Sequence, residues 1–277
     1  MRVYDLHTHS TASDGVLAPS ALMKRARTRR VDTLALTDHD TVGGIAEARP
    51  AAAAEGLWLV AGVEISVSWQ GHLIHVIGLG IDETDSGLLQ GLDSLRHRRD
   101  DRAEQMAVRL EKAGIPSALE GARRYQTTDI LSRTHFARYL VEIGRVDSVD
   151  EAFKRFLNAG TPGHVPMQWA TLAEAITWIT DAGGHAVVAH PGRYKIDETL
   201  LYRFLEAFVE SGGSGIEVVC SNLKPDQINR FAGIARKYGL KASAGSDFHS
   251  PRSKRELGRL APLPEDVVPV WQDRDWQ

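Results

Sequence analysis

Short apolar runs rich in β-branched residues alternate along this chain with segments whose apolar residues recur at helical spacing. That alternation builds a parallel sheet or barrel from repeated βα units. The strands it predicts are VYDLH, DTLALT, LWLVAGVEISVSW paired with HLIHVIGL, then HAVVAH, GIEVVC and KASAGS. Between them the pattern predicts helices over Ser20 to Arg30, Thr171 to Ala182, Glu198 to Ser211 and Pro225 to Tyr238. Thr171 followed by Glu174 has the form of a capping box, and Gly183-Gly184 supplies a stop before the next strand. The Ala51 to Ala54 run is ordinary helix-forming sequence.

The alternation breaks between about Ser86 and Pro166, where strand signal nearly vanishes and helical stretches follow one another. Residues 86–166 are therefore expected to be a helical insertion placed as a lid over the loops of a barrel made by residues 1–85 and 167–277. The tail after Leu260 carries three prolines and two tryptophans and is expected to pack along the barrel as an irregular strap.

Composition narrows the function. With 277 residues, 43% of them hydrophobic and 25% charged, the chain reads as a water-soluble globular protein. A net charge of -3 gives no global field to recruit nucleic acid, so an anionic ligand has to be drawn by a local positive site. A single cysteine, Cys220, excludes an internal disulfide and a thiolate zinc site; at the end of an apolar strand it is read as packing rather than as a nucleophile. The beginning, MRVYDLHTHS, enters a strand pattern without a basic segment followed by an apolar stretch, and the expectation is a cytoplasmic protein with no membrane association and no obligate protein partner.

The candidate chemistry sits where the strands are expected to end. His7 and His9 are two apart in an extended segment, so both imidazoles face one side. Asp14, His39, Glu64, His75, His190, Asp247 and His249 follow, each at a strand end or in the next loop. A lone histidine is more often a core or surface residue; six of eleven, with three acids, recurring at one structural position point to metal. Imidazole and carboxylate shells without thiolate suit manganese, zinc or iron better than calcium. Asp38 is read either as orienting a ligand imidazole or as a turn residue. RHRRDDR, Arg96 to Arg102, mixes both signs at helical spacing and is read as a solvated face rather than an RNA-binding patch. Trp169 is read as core, or as a platform for a base. Arg252, Lys254 and Arg255 are read equally as an exposed loop or as steering charge.

Together DLHTHSTASDG, LALTDHD, GVEIS, HVIG, AHPGR and GSDFH resemble the PHP (polymerase and histidinol phosphatase) family over nearly the whole chain. The SRTHFARYL segment in the insertion is similar to that of its nucleoside 3',5'-bisphosphate phosphatase and 5'-to-3' exoribonuclease members. The resemblance implies a distorted (β/α)7 barrel holding three divalent cations, expected to be Mn2+ with Zn2+ or Fe2+ as alternatives. By it, His7, His9, Glu64 and Asp247 hold the first metal, Glu64, His75 and His190 the second, and Asp14, His39 and His249 the third, with Asp14 standing where other members have histidine. It also assigns Arg133, His135 and Arg193 to substrate phosphate. The expected substrate is a nucleoside 3',5'-bisphosphate or a short 5'-phosphorylated oligoribonucleotide; the alternatives are another small metabolite such as histidinol phosphate, or a non-catalytic metal-binding interaction module.

Overall fold

The computed structural model describes residues 2–126, 131–221, 223–272 and 276. Its seven strands follow one another in chain order: β1 (Tyr4–Asp5), β2 (Thr33–Leu36), β3 (Trp58–Trp69), β4 (His72–Leu79), β5 (His185–Val188), β6 (Gly215–Cys220) and β7 (Lys241–Gly245). Beyond the last residue of β1, the Leu6 N–H donates to the Ala244 carbonyl (2.9 Å), which brings the two edges of the sheet together. The result is the expected distorted, nearly closed seven-stranded α/β barrel.

The distortion has a local cause. Only Gln70 and Gly71 separate β3 from β4, both with positive φ (46° and 80°), the backbone of a tight hairpin. So short a link cannot make a crossover, and β4 runs antiparallel to both β3 and β5, whereas the remaining neighbours pair in parallel.

Helices α1 (Pro19–Thr28) and α2 (Ile45–Glu55) cover β1 to β3. The pattern showed α2 only as its alanine run, because Pro50 interrupts the helical signature. After β4 come the helices α3 (Ser86–Lys112), α4 (Ala118–Arg123), α5 (Arg133–Glu142) and α6 (Val149–Ala152), the last running on into one π-helical turn, Phe153–Leu157. Among the described residues of 86–166 there is no strand; residues 127–130 of that span lie outside them. Met106, Leu110, Phe136, Leu140 and Leu157 give this segment a core of its own. Returning to the barrel, α7 (Leu172–Asp181), α8 (Glu198–Glu210) and α9 (Pro225–Tyr238) lie within two residues of the predicted bounds. Thr171 does cap α7 in a capping box, its hydroxyl accepting from the Glu174 N–H while Glu174 accepts from the Thr171 N–H (2.7 Å).

Two apolar layers sandwich the strands. Inside lie Leu6, Ala35, Val60, Ile77, Val187 and Ala189, joined by Val270 and Trp276 from the tail. The tail adds bonds to β7, with Ala242 N–H donating to Val268 and Val270 N–H to Ala242, and Trp271 stacks on Tyr4 at 4.1 Å. Tyr4, Thr33 and His185, which the tail touches, all begin their strands, so the strap closes the end of the barrel where β1, β2 and β5 begin. Among the described residues no helix is long and apolar enough to cross a membrane.

Helix α3 is bolted to the strands by an ion pair. Arg99 of α3, 8% exposed, donates through Nε to Asp40 Oδ2 (2.7 Å) and through Nη2 to Ser66 Oγ (3.1 Å); Asp40, 1% exposed, also accepts from the Ser66 N–H (2.7 Å). Breaking a buried pair leaves a charge without compensation. Asp40→Asn, which retains a residue tolerant of the local φ of 51°, is expected to lower the unfolding free energy by about 3 kcal/mol, read from denaturant melts with unchanged slope.

Candidate metal centre

The segment after β1 is held extended by its middle residue. Thr8 Oγ1 donates to the Ala35 carbonyl (2.6 Å) and the Thr8 N–H donates to Thr37 Oγ1 (3.1 Å), so Thr8 faces β2 and its neighbours His7 and His9 face the other way. Their Nε2 atoms come within 3.1 Å of one another. Glu64, from the middle of β3, reaches five imidazoles. Its Oε2 lies 3.2 Å from His7 Nε2, 3.2 Å from His9 Nε2 and 3.1 Å from His39 Nδ1. Its Oε1 lies 2.9 Å from His75 Nδ1 and 3.0 Å from His190 Nε2. Asp247 Oδ1 stands 3.4 Å from His7 and 3.1 Å from His9, while Asp14 Oδ1 stands 3.2 Å from His249 Nε2.

All nine candidate ligands therefore converge. Three groups of donor atoms each fall within a sphere suited to one cation: His7, His9, Glu64 and Asp247; His9, Asp14, His39 and His249; and His39, Glu64 and His75. The first is the set that the family resemblance implies. The third brings His39 to Glu64 and His75, with His190 Nε2 3.3 Å from His75 Nδ1, and the second adds His9 to the expected trio. Two placements differ from expectation: Glu64 lies in the middle of β3 rather than at its end, and His75 is displaced as well. His75 lies in the first half of β4 rather than at its end, because β4 runs antiparallel and presents its beginning to the site.

These residues fit cations. Buried atoms His9 Nδ1, Asp14 Oδ1, His39 Nδ1, Glu64 Oε2 and His190 Nδ1 have no hydrogen-bond partner among the described residues, an arrangement that costs free energy unless another group satisfies it. Nitrogen and oxygen donors without sulfur suit manganese, zinc or iron. Burial alone would raise the Glu64 carboxyl, but His39, His7 and His75 outweigh it and hold it well below its ordinary value. Burial likewise opposes charge on His9, yet Asp247 and Glu64 push its pKa up to about 10, whereas burial keeps His39 well below the usual imidazole range. The carboxylates are thus ionised and demand nearby positive charge. His190 (φ 29°) and Asp247 (φ 52°) hold left-handed backbone that side chains other than glycine seldom adopt, which is strain concentrated where the donors converge.

Asp38 orients no imidazole by hydrogen bond: it accepts from the Ser10 N–H (2.8 Å), Ser10 Oγ (2.7 Å) and Ser13 Oγ (2.6 Å), and so fixes the loop that carries Asp14. Arg193, in the turn Pro191–Arg193, donates to Asp247 Oδ2 and places Nη2 3.0 Å from Cys220 Sγ. Arg255 also donates to Asp247 Oδ2 (2.6 Å), so it belongs to the centre rather than to a free loop.

Beside the centre opens a cleft of roughly 400 Å³, lined by Asp14, His39 and His75 from the centre together with Arg99, Arg102, Arg133 and Trp169. Arg133 is the first residue of α5, its guanidinium 5.4 Å from the Phe153 ring. His135 does not line the cleft; it is 2% exposed, its Nδ1 accepts from the Ser132 N–H (3.1 Å), and burial drives its pKa down to about 4. Trp169 is 6% exposed and lies beneath Arg99, 4.5 Å from ring to guanidinium, so a cation occupies the face on which a base would stack.

RHRRDDR is not simply a solvated face. Arg99 is buried and Arg102 lines the cleft, its Nε donating to the Val165 carbonyl (2.9 Å). Burial, with Arg133 and Arg99 nearby, lowers the Arg102 pKa to about 9. The signal was in the phase of α3: Leu88, Leu92, Leu95, Ala103, Met106 and Leu110 form its buried stripe, and Arg99 falls on it. A further residue escaped notice, Glu217 of β6, fully buried with its Oε1 3.0 Å from His7 Nδ1.

A seven-stranded barrel with imidazoles and carboxylates gathered at one mouth defines a protein whose residues could hold metal ions there. The chain belongs to the PHP domain family, whose model matches residues 5–218. It is 46% identical over 271 residues to a 3',5'-nucleoside bisphosphate phosphatase of Chromobacterium violaceum, covering 97% of this chain and 95% of that one. It is 47% identical over 272 residues to a 5'-3' exoribonuclease of Escherichia coli, covering 98% and 93%. A solved structure described as an amidohydrolase from Chromobacterium violaceum, with bound sulfate and no metal, superimposes with a TM-score of 0.93 at 46% identity, over 97% of this chain and 94% of that chain.

Binding to the native state alone stabilises it, by about 2.7 kcal/mol at a hundredfold excess over the dissociation constant. Stripping the protein with chelator is expected to lower its melting temperature, and Mn2+ or Zn2+ to restore it. In Glu64→Gln, which alters donors of two of the three groups, that restoration should largely disappear, with metal content by mass spectrometry falling in parallel.

Proposed function

We propose that this protein is a metal-dependent phosphoesterase that removes the 3'-phosphate of nucleoside 3',5'-bisphosphates and, by the same chemistry, releases mononucleotides from the 5' end of short 5'-phosphorylated RNA. One observation carries the reading: candidate metal donors line the same cleft as two arginines, Arg102 and Arg133, neither of which forms an ion pair among the described residues. A ligand with two anionic ends matches that polarity. The names of the two relatives support it, since both describe reactions at nucleotide phosphates, and the sulfate of the Chromobacterium structure is a tetrahedral anion of the same shape.

His7, His9, Asp14, His39, Glu64, His75, His190, Asp247 and His249 would hold up to three divalent ions, of which Mn2+ is the proposed native one. Bound there, such ions supply Lewis acidity and ionise water near neutral pH. The protein's own groups position the ester. Arg133 and Arg102 offer charge-assisted hydrogen bonds to the 5'-phosphate. Arg99, already paired with Asp40, stiffens the wall behind them, and His135, neutral and buried, fixes the start of α5 and hence Arg133. The insertion, residues 86–166, acts in this reading as a substrate cap: Thr134 Oγ1 donates to Asp14 Oδ2 (3.0 Å) and Arg138 donates to the Asp14 carbonyl (2.7 Å), so the cap and the metal loop share a residue. The working place proposed is the cytoplasm, in keeping with one buried, unpaired cysteine.

A charge-assisted hydrogen bond contributes roughly 1.5 to 3 kcal/mol, so Arg133→Ala or Arg102→Ala should lower kcat/KM for a 3',5'-bisphosphate by about ten- to a hundredfold while changing a 3'-monophosphate little. Equal losses on both substrates would remove the clamp. With 5'-monophosphorylated, 5'-hydroxyl and circular RNAs resolved by length, only the first should be degraded efficiently, one nucleotide at a time and with weak dependence on salt. Cutting of the circle would exclude a terminal-phosphate mechanism.

A further inference from the structure

The least expected charge in the barrel is Glu217. It is fully buried, bears a carboxylate, and is none of the nine candidate ligands. A buried carboxylate survives only where its oxygens are engaged, and both are. Oε1 lies 3.0 Å from His7 Nδ1, and Oε2 accepts from the backbone N–H of His190. The register of β6 against β7 shifts immediately after Glu217, leaving Val218 as the extra residue of a bulge, a device that re-aims a side chain within a sheet. The approach from β7 is made possible by Gly245, where a Cβ would stand 2.2 Å from His7 Cβ and 2.6 Å from Glu217 Oε1.

We propose that Glu217 is a positioning residue of the metal centre: it holds the Nδ1–H of His7, leaving Nε2 as the ligating nitrogen, and with its other oxygen it pins the strained backbone that presents His190. The inference rests on the metal-dependent reading above. With Nδ1 engaged by Glu217, the only His7 nitrogen left to meet a cation is Nε2, and that atom is the one within 3.4 Å of Glu64 and Asp247. One carboxylate thereby orients donors from two different strands, since His7 follows β1 and His190 follows β5. Carboxylates that fix ligand imidazoles in this way typically alter metal affinity by roughly 10- to 100-fold when replaced. Glutamine at 217 keeps the shape but offers one acceptor oxygen for two donors, so one of the two bonds must be lost.

The test compares wild type and Glu217→Gln, both stripped of metal, by competitive titration with Zn2+ or Mn2+ against a fluorescent chelator. Melting of the metal-free proteins is recorded alongside. The expected result is a loss of metal affinity of roughly 10- to 100-fold in the variant with the metal-free melting temperature little changed. A purely structural role would do the reverse, lowering that temperature and leaving the affinity of folded molecules intact, and would overturn the proposal. A second measurement needs no variant: in zinc-loaded wild type, long-range 15N–1H spectra should show His7 protonated at Nδ1 in a downfield, hydrogen-bonded resonance. Coordination of zinc through Nδ1 would overturn the assignment. Wild type that binds no metal would overturn this inference and the metal-dependent reading together, whereas metal binding that is equal in wild type and variant defeats this inference alone.

Discussion

A single carboxylate with no exposed surface, Glu64, touches five imidazoles from four separate segments of the chain. An ionised group in that position is tolerable only when positive charge surrounds it, and imidazoles crowded against one another are tolerable only when something between them accepts their lone pairs. Each requirement answers the other when cations are present. The rest of the architecture can be understood as what it takes to bring those groups to one place: a closed sheet to aim the strands, Thr8 turned outward so that its neighbours turn inward, and left-handed backbone at His190 and Asp247 to complete the circle. The strain is affordable because the sheet and its two apolar layers over-determine the positions.

The periodic features of this fold were legible in the sequence. Strands and helices were visible because each buries one side, and the candidate ligands because their spacing repeats with the strands. Isolated choices were harder to see. Glu217 sits in the run GIEVVC, which reads as plain core, and nothing local to it announces a histidine 210 positions away. Asp38 beside His39 suggested contact with an imidazole, yet in three dimensions the serines of the preceding loop are nearer. Arg99 was misread because a run of mixed charges draws attention to composition, whereas its phase against Leu92, Leu95 and Met106 decides its fate. His75 was placed wrongly along its strand, since strand direction is set by the length of a turn rather than by the strand's own residues.

The helical segment between β4 and α7 is not a separate body resting on a surface. Arg99 reaches into the barrel, and Thr134 and Arg138 reach Asp14. The arginines of the cleft are thus mechanically continuous with the candidate donors. The spacing between them is set by covalent and hydrogen-bonded structure rather than by loose docking. Such continuity favours a ligand of defined length.

The hairpin of β3 and β4 has a quieter effect. Ser66 pairs with His75 and Glu64 with Ile77 across it, and the alignment is dictated by the two residues at its tip, Gln70 and Gly71. Side chains alternate between the faces of a strand, so slipping β4 by a single position would send His75 outward and bring an isoleucine or a valine to the candidate centre in its place. Lengthening the tip by one residue is therefore not a small perturbation at the periphery. It acts as a parity change, replacing the imidazole that β4 contributes to the mouth of the barrel with hydrocarbon without altering any other candidate donor.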